Sequence, residues 1–104
     1  MIHVLAFVTA KPGLREQVLG HFRANMPAVH AEQGCIEYQP VIDAADGGAM
    51  QEPLGDDTFV VVEKWATLDD LKAHAASSHM AAYGAKVKDL LASRTIRVLT
   101  DAAG

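Results

Sequence analysis

The chain has 104 residues, half of them apolar and about a fifth charged, with a formal net charge of −4 and a single cysteine. These totals set one globular domain over residues 1–104. They exclude a nucleic-acid footprint, because the nine basic residues are scattered and form no patch that could neutralise phosphates. A domain this small buries only about two-thirds of its unfolded surface, so a partner subunit would add materially to its stability. Cys35 has no partner for an internal disulfide, and no CxxC or Cys/His cluster suggests a structural zinc. A reducing, cytoplasmic setting follows.

The N-terminal MIHVLAFVTAK is too short for a spanning helix and lacks the basic start and cleavage pattern of a signal peptide; no membrane segment is expected. Ile2 to Thr9 is apolar and rich in strand formers, so it reads as a first strand that ends at Lys11-Pro12-Gly13. A helix follows from about Leu14. Its apolar stripe is Leu14, Val18, Leu19, Phe22, Met26 and Val29. Pro27 removes a backbone donor inside that run, which predicts a kink or brief interruption. Gly34 supplies the left-handed residue that ends the helix.

Cys35 to Ile42 reads as the second strand. Residues 43–57 are rich in Gly, Asp and Ala and form a long loop, either a lid or a tolerated insertion. Phe59 to Trp65 is the third strand. Thr67 then caps a second helix, with Asp70 as a weaker capping-box partner and Leu68, Leu71 and Ala75 as its buried stripe. Ser77-Ser78 breaks it, and a third helix restarts at Ser78 and runs through Met80, Tyr83, Val87 and Leu90-Leu91. Arg94 to Thr100 is the last strand, followed by a frayed tail.

The order β-α-β-β-α(α)-β with right-handed crossovers gives an α+β, ferredoxin-like four-stranded antiparallel sheet with helices on one face. Strand one and the FVVV segment are apolar on both sides, whereas a half-solvated sheet alternates. Something must cover the second face, and the chain has no further helices. A homodimer is expected.

On strand three Phe59, Val61, Glu63 and Trp65 share one side, and Val60, Val62 and Lys64 the other. His74, three residues after Leu71, lies beside the buried stripe of the second helix and can approach Glu63. A carboxylate beside an imidazole favours its charged form while burial opposes it, and such a pair can act as a base. Spacing alone favours the structural reading, a Glu63 solvated at the strand end and a core His74 bonded to a carbonyl. His79 is off-face relative to His74 on a continuous helix and lacks the i,i+4 metal spacing. A metal would need His3, His21 or His30 from other elements, and none is expected. Asn25 lies close to the apolar stripe, either orienting a ligand or bonding to a kinked backbone. Tyr38 and Tyr83 offer hydroxyls to a pocket or are core tyrosines with wet tips. No Walker loop, GxGxxG, GxSxG or HExxH motif is present, so no flavin or nicotinamide cofactor is expected.

Several stretches together carry a likeness: Phe22-Arg23-Ala24-Asn25, then Glu32-Gln33-Gly34-Cys35-Ile36-Glu37-Tyr38, then Phe59, Glu63-Lys64-Trp65, His74 and Ser78-His79. Over roughly residues 2–100 the chain resembles the antibiotic biosynthesis monooxygenase family of dimeric α+β barrel proteins. The resemblance implies two ferredoxin-like sheets closing into a barrel. It also implies oxidation of a small aromatic phenol or quinol by O₂ without a cofactor. In such enzymes an amide and an indole hold the substrate, and Asn25 and Trp65 stand at matching positions. The implied catalytic set is Asn25, His74 and Glu63, with Trp65, Tyr38, Phe22, His79 and Tyr83 contacting substrate. Related isomerases of a small carbonyl signal molecule share the asparagine and the histidine pair, and non-catalytic small-molecule-binding or stress-response dimers share the fold. Haem-degrading relatives usually have a second Trp where this chain has His74, and a His where it has Gly84, so haem degradation is not implied.

Overall fold

A computed structural model describes residues 1–103. Its first strand, β1 (Ile2–Ala10), alternates as a half-covered strand must: Val4, Ala6, Val8 and Ala10 are buried, and the residues between them are half-exposed. β1 pairs antiparallel with β3 (Thr58–Trp65) on one side and β4 (Leu91–Thr100) on the other, and β2 (Cys35–Val41) flanks β3. The sheet order is therefore β2-β3-β1-β4, the ferredoxin-like arrangement that the element order predicts. Helices α1 (Arg15–His30), α2 (Leu68–Ala75) and α3 (Ser78–Val87) complete the fold. Among the described residues no helix is long and apolar enough to cross a membrane.

The core lies between the helices and one sheet face. Val18, Leu19, Phe22 and Val29 of α1 and Val87 of α3 pack on Val4, Ala6, Val8, Phe59, Val61 and Trp65. Several local expectations need revision. α3 ends at Val87, short of Leu90-Leu91, and β4 begins at Leu91 and not at Arg94. α1 runs through Pro27 as one element. Pro27 forfeits one bond near the helix end, and both it and Arg23 are exposed, so water can take up the freed carbonyl. The predicted stripe of α2 is also wrong: Leu68 and Ala75 are exposed, Leu71 is half-buried, and the residue α2 turns into the core is His74. Finally, α1 ends at His30, earlier than predicted, and Gly34 takes its left-handed φ of 79° in the turn before β2.

The predicted Thr67 cap holds, and Ser77, expected only as part of a break, caps α3. The Thr67 side chain accepts from Asp70 N at 3.1 Å, and Ser77 accepts from Met80 N to start α3. The 43–57 loop is tied at its base, where the Asp43 carboxylate accepts from the backbone N–H groups of Leu54 (2.8 Å) and Gly55 (3.0 Å). Those two donors hold the Asp43 carboxyl below its usual pKa. The sheet face away from the helices carries Leu5, Phe7, Val60 and Val62 at its centre, in register across β1 and β3. This is the two-sided apolar character read from the sequence.

Candidate functional site

The site starts with the break between α2 and α3. Because Ser77 stops one helix and caps the next, the five-residue spacing of His74 and His79 no longer sets their relative direction. Both imidazoles turn towards one carboxylate oxygen. Oε2 of Glu32, in the turn after α1, accepts from His74 Nδ1 at 2.8 Å and from His79 Nε2 at 2.8 Å. The three side chains are 13%, 5% and 28% exposed, so water screens these contacts weakly. Ser77 Oγ donates to the His74 carbonyl at 2.7 Å and lies 3.2 Å from His79 Nε2, which fixes the second ring further.

Behind this triad lies a buried polar and aromatic layer. The Trp65 ring packs on His74 with centroids 4.7 Å apart, and Tyr38 meets the same imidazole edge-on at 5.4 Å. Trp65 Nε1 donates to Glu63 Oε1 at 3.0 Å. Burial pushes the Glu63 carboxyl upward in pKa, against the opposing pull of the Trp65 N–H and of His74. Phe22 stacks on Tyr38 at 5.0 Å and meets Phe59 and Tyr83 edge-on. Burial also raises the Tyr38 hydroxyl well above its ordinary value and pushes Tyr83 up to about 12, so both remain protonated donors.

Two clefts flank the triad. One, of about 460 Å³, is lined by Glu32, Gln33, Asp69, Asp70, Ala73 and Ser77 and is acidic. The other, of about 220 Å³, lies between α1 and α3 and is lined by His21, Ala24, Asn25, His79, Ala82, Tyr83 and Lys86. Glu32 faces the first, and through His79 it is one hydrogen bond from the second.

The predicted site residues thus divide. Asn25, His79 and Tyr83 meet in the α1–α3 cleft, with Asn25 Nδ2 donating to Met80 Sδ at 3.4 Å. His74, Glu63, Trp65, Tyr38 and Phe22 form the layer behind, and Trp65 is completely buried and lines neither cleft. The expected Glu63–His74 pair is replaced. Glu63 is held by the Trp65 indole, and the carboxylate that meets His74 is Glu32. The spacing argument that set His79 apart assumed a continuous helix and fails for that reason. Glu32, His74 and His79 place three ligand atoms within 4.8 Å of one another, a donor set of the kind that holds a divalent metal, without help from His3, His21 or His30. The Ser77-Ser78 break was the signal that a simple helix wheel no longer applied.

A family profile described as antibiotic biosynthesis monooxygenase matches residues 1–86. The chain is 36% identical over 101 residues to the protein named "Probable quinol monooxygenase YgiN" of Escherichia coli, covering 95% of this chain and 96% of that one. It is 30% identical over 94 residues to YcnE of Bacillus subtilis, which also carries a monooxygenase name, with coverage of 89% and 88%. Among solved structures, Rv0793 from Mycobacterium tuberculosis superimposes with a TM-score of 0.77 at 26% identity, covering 96% and 93% of the two chains. A monooxygenase-type reaction is the class of function these relationships support.

Proposed function

Because the chain belongs to the antibiotic biosynthesis monooxygenase family, we propose that it is a cofactor-independent monooxygenase that oxidises a small phenol or quinol with O₂, working as a homodimer. The observation that carries this reading is the Glu32–His74–His79 triad, whose His79 opens onto the cleft that also holds Asn25 and Tyr83.

A phenol becomes electron-rich enough to react with O₂ once its proton is removed. His79 Nε2 is held by Glu32, which leaves Nδ1 as the ring atom free to take that proton. Glu32 then stabilises the imidazolium, and His74 holds the carboxylate in place through the same oxygen. Asn25 Nδ2, bonded only to a weak thioether acceptor, is available to donate to the phenolate oxygen. One such donor is worth about 3 kcal/mol in a transition state. For a quinol, the ring carbon next to the one bearing the phenolate oxygen adds to O₂, and the adduct takes up a proton to give a hydroperoxide. Loss of water then leaves a hydroxyquinone: one oxygen atom enters the ring, the other leaves as water, and the quinol gives up two hydrogens. Trp65, Tyr38 and Phe22 serve this scheme by fixing His74 from behind, and Glu63 by fixing Trp65.

The apolar centre of the open sheet face, Leu5, Phe7, Val60 and Val62, supports the dimer, since face-to-face packing of two such sheets removes it from water. The paired, buried state of His74 favours catalysis over a purely structural binding dimer. A carboxylate shared by two imidazoles also suits proton relocation, as in isomerisation of a small carbonyl compound, and turnover without O₂ would identify that reaction.

The test is O₂ uptake by the purified protein with a naphthohydroquinone. Asn25→Ala and His79→Ala are expected to lower turnover at least about 100-fold with unchanged circular dichroism, and His74→Gln to lower it less. Full turnover in both alanine variants would show that the site is misassigned.

A further inference from the structure

The α1–α3 cleft has two chemically different ends. Asn25 meets Met80 (Nδ2–Sδ 3.4 Å) while Phe22 meets Tyr83 (ring centroids 6.0 Å), so position numbers rise along one helix as they fall along the other. The helices are therefore antiparallel. Asn25 and His79 lie at one end of the cleft, His21 and Lys86 at the other, with Tyr83 between. The spacing of the lining residues, 21-24-25 on α1 and 79-82-83-86 on α3, keeps each set on one helical face. Ala24 and Ala82 are the small residues on those faces, and the cleft exists because neither fills it.

No carboxylate lines this cleft, although acidic residues outnumber basic ones 13 to 9 over the whole chain. Among the described residues, Lys86 enters no ion pair. An uncompensated ammonium and an imidazole thus sit at the end away from the Glu32 relay. From position 79 to 86 α3 rises about 10 Å, the length of a two-ring aromatic with substituents at opposite ends. A volume of about 220 Å³ is smaller than the usual drug-sized site and suits one or two rings.

We propose that this cleft selects a one- or two-ring phenol that carries a carboxylate at the end remote from its reacting hydroxyl. Lys86 and His21 take the carboxylate, and Asn25 and His79 take the hydroxyl. The assignment of the reacting end rests on the function proposed above; the anion end rests on Lys86, His21 and the cleft's lack of carboxylates.

The experiment is calorimetric binding of 6-hydroxy-2-naphthoate and of its methyl ester, neither of which needs turnover to report. The acid is expected to bind at least about tenfold more tightly than the ester. That advantage should fall below about threefold in Lys86→Met and at high salt, and should shrink partly in His21→Gln. Ala82→Leu, which fills the cleft without touching a polar group, should weaken both ligands about tenfold or more. Equal affinity for acid and ester, an advantage that survives Lys86→Met, or binding of neither compound would each overturn the proposal. The oxygenase reading fails differently: the acid would bind as expected, and no hydroquinone would draw O₂.

Discussion

Glu32→Gln keeps the shape of the side chain and removes its charge, which makes it the sharpest probe of the triad. The amide oxygen can occupy the place of Oε2 and still accept from His74 Nδ1 and His79 Nε2, so both 2.8 Å contacts survive as neutral hydrogen bonds. What is lost is charge assistance. Bonds to a charged group contribute about 1.5–3 kcal/mol against about 1 for neutral ones, so the two together lose about 2 kcal/mol. His79 is 28% exposed and better screened than His74 at 5%, which brings the expected loss to about 1–2 kcal/mol. For a domain of this size that lowers Tm by roughly 5–15 °C. The same change removes the group that stabilises the imidazolium, so turnover should fall on the order of 100-fold. Differential scanning calorimetry reads the first quantity and an oxygen electrode the second. An unchanged Tm would refute the energetic reasoning. A lowered Tm with wild-type turnover would make the triad a structural feature and sink its catalytic role.

Glu63 gives a pH prediction. Its folded pKa is raised by burial above the ordinary value of 4.5, so the native state holds that proton more tightly than the unfolded chain. Stability should therefore fall as pH climbs from about 4.5 through the raised folded value. Urea titrations at a series of pH values should show this fall in the wild type and a flatter profile in Glu63→Gln; identical profiles would contradict it. Trp65→Phe removes the N–H that Glu63 accepts and leaves part of a fully buried site empty, so chemical denaturation should report a loss of about 2–4 kcal/mol. If the variant matches the wild type, the indole–carboxylate bond contributes nothing. Val62→Asp places a charge at the centre of the open sheet face and should convert a dimer to a monomer by light scattering. A monodisperse wild-type monomer at micromolar concentration would refute the dimer itself.

The strands were legible because their physics is local. Phe59 to Trp65 has the period-two pattern that puts Glu63 and Trp65 on one side, and their hydrogen bond shows that they share it. Thr67 was legible as a cap because a hydroxyl at that position satisfies an N–H two or three residues on, whereas Ser77 was read only as part of a break and caps α3 in the same way. The partner of His74 was not legible. Glu32 lies 42 positions away in a turn, and Glu63, on a facing strand, offers the same chemistry. Periodicity ranks positions by face and carries no information about which of two carboxylates the tertiary fold delivers. The burial of α2 failed for a related reason. Leu68 and Ala75 are more hydrophobic than His74, yet a short helix lying near the sheet edge buries the residue whose polar atom finds a partner.

The turn that carries Glu32 is tied to the end of β3 through Gly34, whose carbonyl accepts from Ala66 N at 2.8 Å, just where β3 hands over to α2. A Cβ at Gly34 would strike the Asp70 side chain, so this approach admits no larger residue without displacement. Glu32, His74 and His79 therefore belong to one small patch joining the turn after α1 to the break between α2 and α3. Such a patch opens with its own free energy, below that of the whole sheet. Amide exchange at Ala66 and through α2 should run ahead of exchange in β1 and β3, and heat should erase turnover while the strands are still intact. On this geometry, resistance to thermal inactivation should depend on the Gly34 turn as well as on the Trp65 and Tyr38 packing behind His74.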